Sequence, residues 1–349
     1  MRQTRVKQDD IARAVGVSVS TVSRVLSGAP GIGPATTARV LRAAADLGTP
    51  VPGPLGARQA ARGHGLKRAL LFLNQVNANS GSGSIYHFVI AGLRKAAQEA
   101  NLPLEFALLG GDGDIPDMLL GGAETGVLFA GVDPSQDLIA RLRASGHPAV
   151  MVNGMDPTMA LDHVAPNNYF GGYLAAQYLV RLGHRQILHL GTARRWTLRA
   201  RTEGFRQGIC DARRADLHCD FQAMQNVTEV CAEDALNQIP TDVPFPYTAI
   251  FCSADNVALT VMQTLRLRGL KVPDEVSLLG FNGLPLSEMS SPLLSTLAVD
   301  WEYVGTEAIR LLLLRHSEPR RPTQQSLIGV SLRHRQSVRD MNNPSVTMC

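Results

Sequence analysis

The sequence lacks several features that would place it in a special class of protein. Its 349 residues include five cysteines with no CxxC pair, so neither a zinc site nor a disulfide framework is indicated. No run of 18 apolar residues occurs, which argues against a membrane span. The opening residues, MRQTRVKQDDIA, have no apolar core of a secretory signal. We therefore expect a globular protein with reduced thiols in a cytoplasm.

Catalytic and metal-binding patterns are also missing. GDGD at 111–114 and GSGS at 81–84 lack the glycine spacing of phosphate-binding loops, and no GxSxG motif occurs. His184 and His189 have no carboxylates at metal-ligand spacing, which favours structural roles. We expect no enzyme activity, no metal and no cofactor.

Charge is distributed unevenly along the chain. Residues 1–68 contain eleven Lys or Arg and three Asp, a net charge of +8. The whole chain carries +4, so the remainder carries −4. A basic head on a mildly acidic body is typical of a protein with a polyanionic partner, although a solvated basic surface would look the same.

The basic head has the spacing of three short helices. In the first, Ile11, Ala14 and Val15 share one face, and Gly16 permits a turn. Ser18 is a suitable N-cap for a second helix over 19–26, and a third is expected over 35–47. The expected inward residues of the last two helices are Val22, Val25, Leu26, Val40, Leu41, Ala44 and Leu47. Such an arrangement is a helix-turn-helix or, alternatively, a small oligomerisation module.

The second helix would present polar side chains to solvent. Val19, Ser20 and Ser23 face outward near its start, and Arg24 lies one turn further on. A helix fits the major groove of DNA, where Ser and Thr bond base edges or phosphates and Arg prefers guanine. The head is therefore predicted to bind double-stranded DNA.

The run DDIARAVGVSVSTVSRVLSG, followed by TTARVLRAAADLG, resembles the DNA-binding head of the lactose-repressor (LacI/GalR) family. The resemblance implies that Val19, Ser20 and Arg24 set operator sequence. It also implies that the hydroxyls of Ser18, Thr21 and Ser23 hold phosphates. Ser27 stands where the family usually has Asn, and Gly33 where it has a capping Ser.

The segment 49–66 is rich in Pro and Gly and, on composition, is a linker. In the resembling family it forms a hinge helix on DNA, with a Leu wedged into the minor groove. Where the family has the pattern AR-x-L, this chain reads Ala57, Arg58, Gln59 and Ala60, and Thr49 replaces a usual Tyr. Arg58 and Ala60 are thus expected at the DNA, with weaker or differently shaped bending because Ala60 replaces the wedge.

The rest of the chain alternates strand-like and helical segments. This order is typical of parallel sheets covered by helices, with ligands at the carboxyl ends of strands. We expect an α/β fold class: an all-α head at 1–48, the linker at 49–66, and a body at 67–340 that, as the resemblance implies, is periplasmic-binding-protein-like. Its subdomains are expected at 67–163 plus 292–320 and at 164–291 plus 321–340, and a disordered tail at 341–349.

The resemblance extends over this body and implies an effector cleft. RARTEGFRQGI and FCSADNVAL are similar to family segments, which carries Arg201 and Asp255 into the cleft. A surface salt bridge for Arg201 and an N-cap role for Asp255 are the alternatives. Asn282 and Asn167 stand where the family commonly has Asp. Trp196, which either stacks on ligand or packs, and Asn79, Tyr86 and Phe88 complete the candidates.

These features predict a homodimeric transcriptional repressor without a membrane segment. A sugar, sugar derivative or nucleoside-like effector in the cleft would control its affinity for a near-palindromic operator. The alternative is a cytosolic solute-binding protein or enzyme with the same α/β body, whose DNA-binding head has no sensory role.

Overall fold

The computed structural model describes residues 8–27, 32–46, 65–74, 81–109, 115, 120–241 and 243–343. The chain divides into two compact units, Met1–His64 and Gly65–Cys349. Among the described residues, no helix combines the length and the apolar character needed to cross a membrane.

Three helices form the described part of the first unit: α1 (Gln8–Val15), α2 (Val19–Ser27) and α3 (Pro34–Asp46). Ser18 caps α2 as predicted, since the backbone N–H of Thr21 donates to its Oγ at 3.1 Å. Gly16 has φ +69° and ends α1 by donating to the carbonyl of Ala12. These contacts set the short turn between α1 and α2.

The core of the head confirms most of the predicted apolar positions. Buried residues are Ile11, Ala12, Val15, Val22, Val25, Val40 and Ala44. Ala14, expected inside, is exposed, and Ala12 takes its place. The reason is geometric, because successive helical residues turn by about 100° and the buried stripe of α1 is centred between Ile11 and Ala12. The side chains of Leu26, Leu41 and Leu47 lie outside the described residues.

The body contains a first sheet of six parallel strands in the order β11-β5-β4-β3-β1-β2. Alternate residues of β1 face opposite sides: Leu71 and Leu73 pack towards α4 and α10, and Leu70 and Phe72 towards α5. Its strands and helices are β1 (Arg68–Leu73), α4 (Ile85–Glu99), β2 (Leu104–Leu108), β3 (Thr125–Ala130), α5 (Gln136–Ala144), β4 (Ala149–Val152), β5 (Asp162–Pro166), α10 (Trp301–Ser317) and β11 (Gln325–Ile328).

The second sheet also has six strands, in the order β12-β10-β9-β8-β6-β7, and only β12 is antiparallel. Helices α6 and α7 cover one face, and α8 and α9 cover the other. The elements are α6 (Asn168–Arg181), β6 (Gln186–Gly191), α7 (Trp196–Asp211), β7 (His218–Ala223), α8 (Glu229–Asn237), β8 (Ala249–Cys252), α9 (Asp255–Leu267), β9 (Ser277–Asn282), a 3-10 turn (Pro285–Glu288), β10 (Ser295–Val299) and β12 (Val330–Arg333).

The chain crosses between the sheets three times, and all three expected subdomain boundaries need correction. Strand β10 pairs with β9 in the second sheet, although 292–320 was expected in the first subdomain. Strand β11 pairs with β5 in the first sheet, although 321–340 was expected in the second. The boundary at 163–164 falls inside β5, which belongs wholly to the first sheet. Backbone pairing decides which sheet a strand belongs to, and the sequence of a strand does not predict which strand it pairs with.

Helix α7 is held against α6 by close glycine contacts. A Cβ on Gly204 would lie 1.8 Å from the carbonyl oxygen of Tyr169, and one on Gly172 would lie 2.0 Å from that of Arg201. Neither position tolerates a side chain without separating the helices. The glycines therefore fix the height of α7, and with it the position of Arg201 above the sheet.

Candidate ligand cleft and DNA-binding head

A cavity of about 510 Å³ lies between the two sheets of the body. Its lining comes from the carboxyl ends of strands in both sheets, from the segments that follow them, and from the N-terminal turns of α4 and α7. This is the position expected for a ligand site in parallel α/β sheets. The polar lining residues are Asn74, Ser84, Tyr86, Asn153, Arg195, Thr197, Arg201, Asn226, Thr228, Ser253, Asn256 and Asn282.

Arg201 lines this cavity, as the resemblance implied, and it is only 3% exposed. Its Nη2 and Nε donate to Asn168 Oδ1 at 2.6 and 3.2 Å, and its Nη1 donates to the carbonyl of Ser253. The guanidinium lies 3.4 Å from the centroid of the Phe281 ring. Burial lowers the pKa of Arg201, to about 9, so the side chain stays charged at neutral pH. The surface salt-bridge alternative is therefore wrong.

Asp255 does not line the cavity, contrary to the expectation. It is fully buried, and its carboxylate accepts hydrogen bonds from Thr296 Oγ1 at 2.6 Å and from the backbone N–H of Leu284 at 2.8 Å. The N-cap alternative fails too, because α9 begins at Asp255 itself. Burial raises the pKa of Asp255 to about 6, against the hydrogen bonds that lower it. Its carboxylate instead ties the loop after β9 to β10.

Asn282 lies at the end of β9 and lines the cavity with a backbone φ of +123°. Few residues other than glycine adopt this region, which costs about 1–3 kcal/mol and is common at ligand sites. Its carbonyl accepts a hydrogen bond from Trp301 Nε1 at 3.0 Å. Trp301 begins α10 in the first subdomain, so this bond ties the ligand-facing strand end to the opposite subdomain.

Tyr86 is in the cavity as predicted, and it is the centre of a cluster that spans the cleft. Its hydroxyl accepts hydrogen bonds from Asn153 Nδ2 at 3.1 Å and from Arg195 Nη1 at 3.0 Å. Arg195 also donates to the carbonyl of Asn153 at 3.2 Å and to Asp133 at 3.3 Å. Burial alone would lower the pKa of Arg195, but Tyr86 and Asp133 raise it. Asn153 Oδ1 is buried and has no hydrogen-bond partner among the described residues.

Trp196, Phe88 and Asn167 are not among the residues that line the cavity. Trp196 begins α7 and is 37% exposed, whereas its two chain neighbours, Arg195 and Thr197, line the cavity. Phe88 packs against the core beneath α4. Asn79 lies outside the described residues. Asn167 caps α6 by accepting from the backbone N–H of Phe170 at 3.3 Å.

In the head, the candidate DNA-binding residues lie on the solvent-facing side of α2. Val19 is 41% exposed, and Ser20, Ser23 and Arg24 are exposed beside it. The Ser18 hydroxyl lies 2.8 Å from those of Ser20 and Thr21. Helix α2 ends at Ser27, whose side chain is not described. Arg58 and Ala60 lie outside the described residues.

Two family models match the chain. Residues 8–48 match the bacterial regulatory proteins of the lacI family, and residues 176–338 match a periplasmic binding protein-like domain. The chain joins a lacI-family head to a periplasmic-binding-protein-like body. The head and the body predicted from the sequence are therefore both confirmed.

Named relatives match this chain over most of their length. The ribose operon repressor of Haemophilus influenzae is 25% identical over 323 residues, which cover 89% of this chain and 92% of the relative. The repressor CytR of Escherichia coli K12 is 28% identical over 324 residues, covering 89% and 90%. In fold, the chain is similar to the lac repressor dimer bound to operator and the anti-inducer ONPF, with a TM-score of 0.65, 23% identity, and coverage of 96% and 100%.

Several cleft residues were not predicted from the sequence, and the most consequential are Arg195, Asn153 and Ser253. A signal was present, because Asn153 directly follows the buried strand AVMV and Ser253 directly follows AIFC. Polar residues at the carboxyl ends of parallel strands are natural ligand contacts. Arg195 gave no such signal, since three arginines stand close together in ARRWTLR and periodicity does not distinguish them.

Proposed function

We propose that this chain is a transcriptional repressor that acts in the cytoplasm as a homodimer. Its affinity for the operator would fall or rise when a small molecule binds in the cleft. The observation that carries the proposal is the cavity lined from both subdomains, in a chain whose lacI-family head presents a polar helix face. Relatives named as repressors over nearly the whole chain support the same role.

The head would read DNA with α2. Val19 and Ser20 stand at the first turn of the helix, where side chains reach base edges, and Arg24 follows one turn on. Hydroxyls of Ser18, Thr21 and Ser23 would hold phosphates near the helix N-terminus, which favours anions. Two heads in a dimer would then bind the halves of a near-palindromic site.

The ligand we propose is a polyhydroxylated molecule that carries a negative group, such as a sugar acid. Amides and hydroxyls dominate the lining, and the orphan acceptor Asn153 Oδ1 suits a ligand hydroxyl. Two arginines and no carboxylate stand among the described lining residues. Arginine pairs well with a carboxylate or phosphate through its planar fork.

Control would come from the closing of the two subdomains on the ligand. A ligand touching Tyr86, Asn153 and Arg195 contacts groups that already bond across the cleft. Differential binding of about 1–3 kcal/mol between two states changes operator affinity by about 5–150-fold. By the same linkage, operator would change ligand affinity by an equal factor.

The test begins with an operator selected from random duplex DNA by the full chain. Arg24→Ala should weaken binding to that operator by about 1–3 kcal/mol and leave non-specific DNA nearly unaffected. Arg13→Ala is the matched control, because Arg13 is exposed on α1 and pairs only with Asp10 among the described residues. A thermal-shift screen with sugars, sugar acids and nucleosides then identifies the ligand, since a ligand at 100 times its Kd adds about 2.7 kcal/mol. Equal affinity for selected and random DNA would refute the proposal that the chain is a transcriptional regulator. A cleft ligand that leaves operator affinity unchanged would refute the proposal that the ligand controls DNA binding.

A further inference from the structure

A second cavity, of about 660 Å³, lies at the other edge of the first sheet. It is formed by the turns that precede β4 and β5 and by the segment that follows α10. The ligand cleft uses the carboxyl ends of these parallel strands, and this cavity uses their amino ends. Because β4 has four residues, the two sites are about 13 Å apart along that strand.

Positive charge dominates this second cavity. Its lining holds four arginines and two histidines against one acid, Asp162. The Asp162 side chain is buried and accepts hydrogen bonds from Arg315 at 2.8 and 2.9 Å and from Arg321 at 2.9 Å. It therefore neutralises one of the two guanidiniums that it holds. The other two lining arginines are Arg143 and Arg320, and His147 and His316 add two imidazoles.

Several of these groups have unused hydrogen-bonding capacity. Arg143 and Arg320 are exposed and have no acidic partner among the described residues. His147 is 9% exposed; its Nδ1 bonds the Ser145 hydroxyl at 2.7 Å, and its buried Nε2 has no partner in the described parts of the chain. Arg321 Nε is likewise buried without one. Glu124, an acid close to His147, is paired with Lys67 at 2.9 Å.

We infer that this cavity is a second binding site, for a small anion with a phosphate or carboxylate group. An anion here would neutralise charge that Asp162 leaves uncompensated and give partners to His147 and Arg321. Charge-assisted hydrogen bonds from guanidinium are among the stronger polar contacts in proteins. The volume admits a metabolite of sugar-phosphate size. The site is independent of the cleft and of the proposed regulatory function.

Isothermal titration of the full chain with inorganic phosphate and pyrophosphate tests this site, with chloride keeping the ionic strength constant. We expect saturable binding of one anion per chain. Arg143→Ala combined with Arg320→Ala should weaken it at least about tenfold, because each removes a charge-assisted contact. The matched control combines Arg266→Ala with Arg333→Ala, which removes two exposed arginines from the second subdomain.

His147→Asn tests the site without removing a charged group from the surface, because His147 is buried. It should also weaken anion binding, while the melting temperature stays near that of the parent chain. Absence of saturable binding, or equal loss in the control pair, would overturn the site. If phosphate binding is unaffected and the Arg143/Arg320 variant instead flattens the salt dependence of operator affinity, these arginines neutralise DNA phosphates and the small-anion site is wrong. A chain that binds no operator but binds phosphate would refute only the regulatory proposal.

Discussion

The guanidinium of Arg195, in the second subdomain, donates a hydrogen bond to the hydroxyl of Tyr86, in the first, at 3.0 Å. The same hydroxyl accepts from Asn153, so its own proton remains for a further acceptor. All three side chains line the cleft. The bond that joins the subdomains therefore lies where a ligand would sit, and ligand binding and subdomain closure share the same groups.

Replacing Arg195 should separate ligand binding from control of DNA binding. Arg195→Ala removes hydrogen bonds to Tyr86, Asn153 and Asp133 across the cleft. We expect the ratio of operator affinities with and without saturating ligand to fall towards one, from the roughly 5–150-fold range typical of allosteric coupling. Fluorescence anisotropy with labelled operator measures the ratio.

The neighbouring Arg194→Ala is the control for that experiment, because Arg194 is exposed and does not line the cleft. It should leave the ratio unchanged. An Arg195→Ala protein with parental coupling would show that the cross-cleft bonds do not participate in control.

Asp255 should make the folded protein less stable as the pH rises from acid to neutral. Burial raises its pKa to about 6 from an ordinary 3.8, so the folded state binds the proton more tightly. That stabilisation is complete below about pH 4 and is lost as the pH rises through 6. Asp255→Asn places an uncharged amide, which still forms hydrogen bonds, beside Thr296 and Leu284, and this side chain cannot titrate. Urea titrations give the unfolding free energy of the parent and of Asp255→Asn at each pH. We expect the difference, parent minus variant, to fall by up to about 3 kcal/mol between pH 4 and pH 7. A pH-independent difference would contradict this.

His184 should act in the opposite direction. It is fully buried between Thr248 and the carbonyl of Arg339, and burial lowers its pKa to about 4 from 6.5. The folded state resists protonation, so the contribution to stability is present above about pH 6.5 and is lost as the pH falls towards 4. His184→Gln should lack this component, which amounts to about 3 kcal/mol at most. The same urea titrations test it, and parallel pH profiles for parent and variant would exclude it.

The sequence was most informative where a pattern is local. The cap at Ser18, the turn at Gly16 and the alternation of strands with helices depend on neighbouring residues, and the structure agrees with each. Of the candidate cleft residues, Arg201, Tyr86 and Asn282 line the cavity. Asn282 is the last residue of β9, whereas Tyr86 and Arg201 lie in α4 and α7, so their candidacy rested on the resemblance and not on a strand end.

Contacts between distant segments could not be predicted in this way. The role of Asp255 depends on Thr296, a residue 41 positions away, and that of Arg195 on Tyr86, 109 positions away. A helix face can be inferred from periodicity, but the partner opposite that face is set by the sheet order. The wrong assignment of β10 and β11 to their subdomains has the same cause.

The linker offers the last prediction. Ala60 stands where the resembling family has a Leu that wedges into the minor groove. A methyl group removes little apolar surface from water and does not unstack a base step, whereas wedging side chains kink DNA by about 20–90°. Ala60→Leu should therefore increase both operator bending, measured by circular-permutation gel shift, and operator affinity. Gln59→Leu adds a similar apolar side chain one residue away and should change neither. If Ala60→Leu and Gln59→Leu behave alike, this linker does not enter the groove at position 60 in the family's manner.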